Sequence, residues 1–164
     1  MKVKEIMTAR SLKYCSPETK LHNAAKTMKA GNCGALPVLN KDRKVVGFIT
    51  DRDIALSLAR KQEKSAPQLE VRNAMTSRVH TVKAEDDVSE VLRQMRNFKV
   101  GRIPVVDGKG KLKGIVSMHH LLSQTGNGKS KVEIGTLSSP KENLLKTMHA
   151  LTNRYANGSA KRSK

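Results

Sequence analysis

Few side chains in this 164-residue sequence could do chemistry. The two thiols, Cys15 and Cys33, lack a CxxC spacing and read as reduced, structural cysteines. His119 and His120 are adjacent, and adjacent side chains on a helix point apart, so they do not make a metal pair. There is no Gly-rich Walker loop, no HExxH and no Ser/His/Asp arrangement. Two short polar runs remain, Thr50-Asp51-Arg52-Asp53 and Ser117-Met118-His119-His120. Thr50 and Ser117 are good helix N-caps, and an acid such as Asp53 in a first turn complements the helix dipole. Neither run contains an activated nucleophile. No catalytic residue, no metal and no required cofactor is expected at either run.

These runs must be positioned by flanking elements, and the flanks repeat. Val3-Lys4-Glu5-Ile6-Met7-Thr8 is echoed by Val71-Arg72-Asn73-Ala74-Met75-Thr76. Met28, Gly34, Pro37 and Gly47 are echoed at one constant offset by Met95, Gly101, Pro104 and Gly114. A repeat of this length is one supersecondary unit that cannot bury its apolar face alone. In each copy a helix comes first: Leu21, Ala24, Ala25 and Met28 fall on one helical face, as do Val88, Val91, Leu92 and Met95. A Gly-containing loop and an apolar strand follow (Ala35–Leu39; Ile103–Val106), with Pro expected at the strand start, where it loses no ladder bond. A polar hairpin turn leads to a returning strand (Val45–Ile49; Leu112–Val116) and then to the helix opened by Thr50 or Ser117. The pattern is β-α-β-β-α, twice.

Residues 61–70 are polar, without apolar period, and read as the linker between copy one (1–60) and copy two (71–124). Residues 125–164 form a basic tail. Leu144, Leu145, Met148 and Leu151 share one face of a helix expected over 141–154, and the stretch from Ala156 onward is expected to be disordered. Lys and Arg total 32 against 14 Asp and Glu, a net charge of +18, which favours polyanionic partners. Only 2% of residues are aromatic, with no Trp, which argues against an aromatic RNA-binding sheet. No window approaches the about 18 apolar residues of a membrane span, and no signal-peptide run is present. A cytoplasmic protein without membrane association is the expectation.

The paired repeat, with Gly-Ala-Leu-Pro-Val after its first helix and Gly47-Phe48-Ile49-Thr50-Asp51-Arg52-Asp53 at its second, resembles the tandem CBS (cystathionine β-synthase) domain pair, or Bateman module. Copy two repeats the signature as Gly114-Ile115-Val116-Ser117-Met118-His119-His120, with His120 where the pattern has Asp. The resemblance implies an α/β (α+β) fold of two pseudo-twofold-related β-α-β-β-α units packed sheet to sheet, associating as a homodimer. It implies two clefts, each built across both copies, for adenine nucleotides (AMP, ADP or ATP, with S-adenosylmethionine or NAD as alternatives). Its carry-over gives the first cleft Thr50, Asp53, Thr76, Arg78, Val79, Gly101 and Arg102. The second takes Thr8, Leu12, Cys33, Gly34, Ser117 and His120. A carboxylate at a helix start accepts from both ribose hydroxyls, whereas a neutral imidazole offers one acceptor. The second cleft is therefore the weaker adenosine site. The function implied is a stand-alone regulatory protein that senses the ligand and signals to an unidentified protein partner. From charge alone, the alternative is a nucleic-acid-associated protein using the pair as a dimer scaffold.

Overall fold

The computed structural model describes residues 1–60, 68–126 and 146–151. The first copy runs α1 (Leu21–Ala30), β1 (Ala35–Leu39), β2 (Val45–Thr50), α2 (Asp51–Arg60). The second runs β3 (Val82–Lys83), α3 (Val88–Phe98), β4 (Arg102–Val106), β5 (Leu112–Ser117), α4 (Met118–Gly126). One sheet is the antiparallel β1–β2 hairpin; the other has the order β3-β4-β5. The leading strand of copy one shrinks to a single parallel bridge between Cys15 and Val38, where copy two has β3. The architecture is α+β, as expected.

Two compact units result, and they exchange the ends of the copies. The Asp53 unit comprises Arg10–Val79 and Val106–Leu112; the His120 unit comprises Met1–Ala9, His80–Val105 and the described residues from Lys113. Each lead-in thus docks on the body of the other copy. Val71 N–H donates to Thr19 C=O at 2.8 Å and Arg72 N–H to Pro17 C=O at 2.9 Å. The corresponding bonds are Val3 N–H to Asp86 C=O and Lys4 N–H to Ala84 C=O, both 3.0 Å. Val71 and Val3 are fully buried by this docking.

The cores are aliphatic and follow the helical faces with one exception. Leu21, Ala24 and Met28 are buried in the Asp53 unit with Leu36, Val38 and Ile49. Ala25, expected on that face, is exposed; its counterpart Leu92 is buried at 3% exposure. A methyl group at the edge of the stripe reaches too little of the core to be covered, whereas a leucine does. The His120 unit buries Val88, Val91, Leu92 and Met95 against Ile103, Val105 and Val116. Pro37 and Pro104 occupy the middle of β1 and β4, not their starts. Pro37 is tolerated because its strand neighbour on that side is only Cys15, which uses the Pro37 carbonyl (3.1 Å) and the Leu39 N–H (2.8 Å).

Residues 146–151 are helical. Met148 packs on the core of the His120 unit and Thr147 is fully buried. Leu144, Leu145, the basic end beyond Ala156 and linker residues 61–67 lie outside the described residues. Among the described residues no helix is long and apolar enough to cross a membrane.

Candidate functional site

The strand-to-helix corners carry the signature residues. At the first, Thr50 closes β2 and caps α2. Asp53 answers it: its Oδ2 accepts from Thr50 N–H at 2.9 Å and from Thr50 Oγ1 at 2.7 Å, while Asp53 N–H donates to Thr50 Oγ1 at 3.2 Å. This is a reciprocal capping box built from Thr and Asp. Both carboxylate bonds fall on Oδ2; Oδ1 accepts none among the described residues. The helix start is pinned from behind by Asp51 N–H donating to Gly34 C=O at 3.2 Å. The result is a half-buried carboxylate at the positive end of a ten-residue helix.

Thr76 joins this corner through the exchanged lead-in. Phe48 and Thr76 pair antiparallel, with reciprocal backbone bonds of 3.0 and 2.9 Å. Paired residues share a face, and Phe48 and Thr50 share one by strand alternation, so Thr76 lies on the Thr50 face. The approach needs Gly47, where a Cβ would collide with Met75 Sδ. That contact explains why the Met-Thr and Gly marks recur together.

At the second corner Ser117 closes β5, and His120 N–H donates to Ser117 Oγ at 3.3 Å. Met118 N–H donates to Gly101 C=O at 2.9 Å, matching the Gly34 bond. Thr8 pairs with Ile115 through bonds of 2.9 and 3.0 Å. A Cβ on Gly114 would lie 2.8 Å from Met7 Sδ and 2.9 Å from Thr8 C=O. The departure is His120. Its ring lies against Thr8 Oγ1, which is 3.4 Å from Nδ1 and 3.3 Å from Nε2. An imidazole therefore lies against the threonine, which stays exposed, where the other corner presents a carboxylate.

The Asp53 unit gathers Thr50, Asp53, Thr76, Arg78 and Val79; Gly101 and Arg102 belong to the His120 unit. Thr8, Ser117 and His120 come together in the His120 unit, while Leu12, Cys33 and Gly34 belong to the Asp53 unit. Arg78 and Arg102 are exposed and Val79 half-buried. Among the described residues nothing lies within 4 Å of where a side chain on Gly101 would stand. Burial pushes the Cys15 thiol up to about 11, which makes it a poor nucleophile at neutral pH. Among the described residues no three His, Cys, Asp or Glu side chains are grouped to hold a metal. Two contacts escaped sequence reasoning: the stacking of His80 on Phe98 with centroids 3.4 Å apart, and Arg43 lying 5.5 Å over the Tyr14 ring. Both join residues far apart in sequence, and no local pattern announces them.

The family model for the CBS domain matches residues 3–60 and 71–125. The chain belongs to the CBS domain family and carries the domain as a tandem pair. It is 37% identical over 140 residues to the uncharacterized protein YlbB of Bacillus subtilis, covering 84% of this chain and 91% of that one. It is 29% identical to the inosine-5'-monophosphate dehydrogenase of Methanocaldococcus jannaschii, but the match spans only 22% of that enzyme. Among solved structures, the CBS domain pair of protein MJ0100 in complex with 5-methylthioadenosine and S-adenosyl-L-methionine superposes with a TM-score of 0.69 at 27% identity, covering 79% of this chain and 98% of that one. CBSX2 in complex with AMP gives 0.65 at 26% identity, covering 76% and 95%.

Proposed function

We propose that this chain is a regulatory CBS-pair protein that binds an adenosine-containing ligand at the Asp53 corner. The observation that carries the reading is the Thr50–Asp53 box. It fixes a carboxylate at a helix start with Oδ1 unengaged among the described residues, suited to accept from ribose hydroxyls. The adjacent α2 amides and Thr76 suit phosphate or another polar substituent of the nucleoside. The AMP and S-adenosyl-L-methionine complexes of similar chains support the ligand class. No residue at the corner is activated for covalent or acid–base work, so the role is binding, and the enzymes that share the segment do not lend it their reactions. Ligand would bias a conformational equilibrium that a partner protein reads.

Two chains are proposed to associate through helices. The exposed Leu56 and Leu58 of α2, 44% and 41% accessible, supply apolar surface for that contact. A monomer by sedimentation at tens of micromolar would contradict it. The ligand reading is tested by thermal shift with AMP, ADP, ATP, S-adenosylmethionine and NAD on the parent and on Asp53→Asn and Asp53→Ala. A shift in the parent that vanishes in both variants supports it. No shift with any of the ligands, or an equal shift in the variants, refutes it.

A further inference from the structure

The excess of positive charge is not absorbed by the ligand corner, and the two hairpin turns, residues 40–44 and 107–111, hold five cations against two acids, Asp42 and Asp107. The turns of the two hairpins are built alike. In the first, Asn40 Oδ1 accepts from Asp42 N–H at 3.0 Å and Lys44 N–H at 2.9 Å. In the second, Asp107 Oδ1 accepts from Lys109 N–H at 2.9 Å and Lys111 N–H at 3.0 Å. Both turns lie in the Asp53 unit, and they join each other. Val45 N–H donates to Gly110 C=O at 3.1 Å and Leu112 N–H to Arg43 C=O at 3.4 Å, bracketing an antiparallel bridge between Lys44 and Lys111.

This bonding pattern makes Lys44 and Lys111 a non-hydrogen-bonded pair, the closest side-chain approach that an antiparallel ladder offers. Like charges directly opposite are destabilising, and both lysines are exposed without an ion pair among the described residues. Lys41, Arg43 and Lys109 are exposed beside them. Arg43 adds a second sign of cost. Its φ is 62, in the left-handed region, at the position where the second hairpin has Gly110 at φ 77. A glycine would be at ease there, yet the chain carries an arginine, whose guanidinium lies over the exposed Tyr14 ring. The turns are thus fixed by side-chain-to-backbone bonds, joined, and loaded with cations that local stability disfavours.

We propose that the joined hairpin turns, with Lys41, Arg43, Lys44, Lys109 and Lys111, form a docking surface for the phosphate backbone of nucleic acid. The cations supply phosphate contacts, and Tyr14 beside Arg43 supplies a stacking face for a base. A lipid surface fits less well: residues 40–44 and 107–111 contain no apolar side chain to enter a bilayer. Lysine and arginine contacts to phosphate oxygens carry no sequence information, so the binding is to backbone rather than sequence.

The test uses the full chain, without added nucleotide, and fluorescence anisotropy on random-sequence 20-mers of single- and double-stranded DNA and RNA across a KCl series. The variant Arg43→Gly/Lys44→Gln/Lys111→Gln is compared with the parent and with a control, Lys26→Gln/Lys29→Gln/Lys13→Gln. For three lost phosphate contacts, the slope of log K against log[salt] should flatten by about 2–3, with affinity at least tenfold lower at low salt. The control should change the slope far less, and the hairpin variant should melt no lower than the parent. Equal losses in variant and control would overturn the proposal in favour of diffuse charge. No nucleic-acid binding, or an unchanged slope in the variant, would overturn it too. Hairpin-dependent binding that is tighter to phosphatidylserine vesicles than to any of the oligonucleotides would assign the surface to membranes instead.

Discussion

The two strand-to-helix corners share a backbone and differ at one decisive side chain. Each has a hydroxyl N-cap, a glycine under a methionine, a threonine delivered by the other copy's lead-in, and a carbonyl pinning the helix start. At the first, Asp53 closes the capping box and, among the described residues, keeps one carboxylate oxygen unengaged. At the second, His120 lies against Thr8. A duplicated fold therefore does not imply a duplicated site. The repeat conserves the machinery that brings the threonine to the helix start, while the third residue of the helix decides what is presented there. The helices differ as well: α3 is capped by the Asp87 side chain, whereas α1 has Lys20 at its N-cap and no side-chain bond.

Substitutions that exploit this contrast should separate the units. The largest effect is expected in the cores. Leu92→Ala should lose about 2–5 kcal/mol, while Ala25→Leu at the matching exposed position should stay within about 0.5 kcal/mol, both by denaturant melts. Next is the ligand corner. Saturation at a hundred times Kd should stabilise the parent by about 2.7 kcal/mol, and Asp53→Ala should lose that increment beyond the about 1 kcal/mol of its lost cap. The glycines should rank third. Gly114→Ala should cost about 1–3 kcal/mol, because the new methyl meets the Thr8 carbonyl as well as Met7. Gly47→Ala should cost less, since the clash there is with the Met75 side chain, which can turn away.

Smallest is the cap of α3. The bond from Ser89 N–H holds the Asp87 carboxyl below the usual carboxylate range. Its contribution is present above the unfolded pKa near 3.9 and is lost as pH falls through the lower folded value. Asp87→Ala should therefore cost about 1 kcal/mol at pH 7, and the gap between parent and variant should close in acid. A gap that does not narrow as pH falls below the unfolded value would contradict that assignment.

Local pattern made much of this legible. The stripes of the two repeat helices α1 and α3 found seven of the eight residues they named, and the paired Gly, Pro and Met-Thr marks led to the family. Thr50 and Asp53 were legible because a cap and its first-turn acid are neighbours in sequence. Pro37 and Pro104 sit two residues into their strands, not at the starts expected for them, because which edge of a strand is left without a partner is not written in local sequence. The joining of the hairpin turns was invisible: Lys44 and Lys111 read as two solvated turns until the backbone sets them opposite each other.

The contrast between the corners predicts that the Asp53 corner binds adenosine and the His120 corner does not. Isothermal titration of the parent chain with AMP, and with S-adenosylmethionine if AMP is silent, tests it most directly through stoichiometry. One adenosine ligand per chain, abolished by Asp53→Asn and unaffected by His120→Ala, is the predicted result. Two equivalent sites per chain, or a single site lost with His120→Ala and kept with Asp53→Asn, would contradict it.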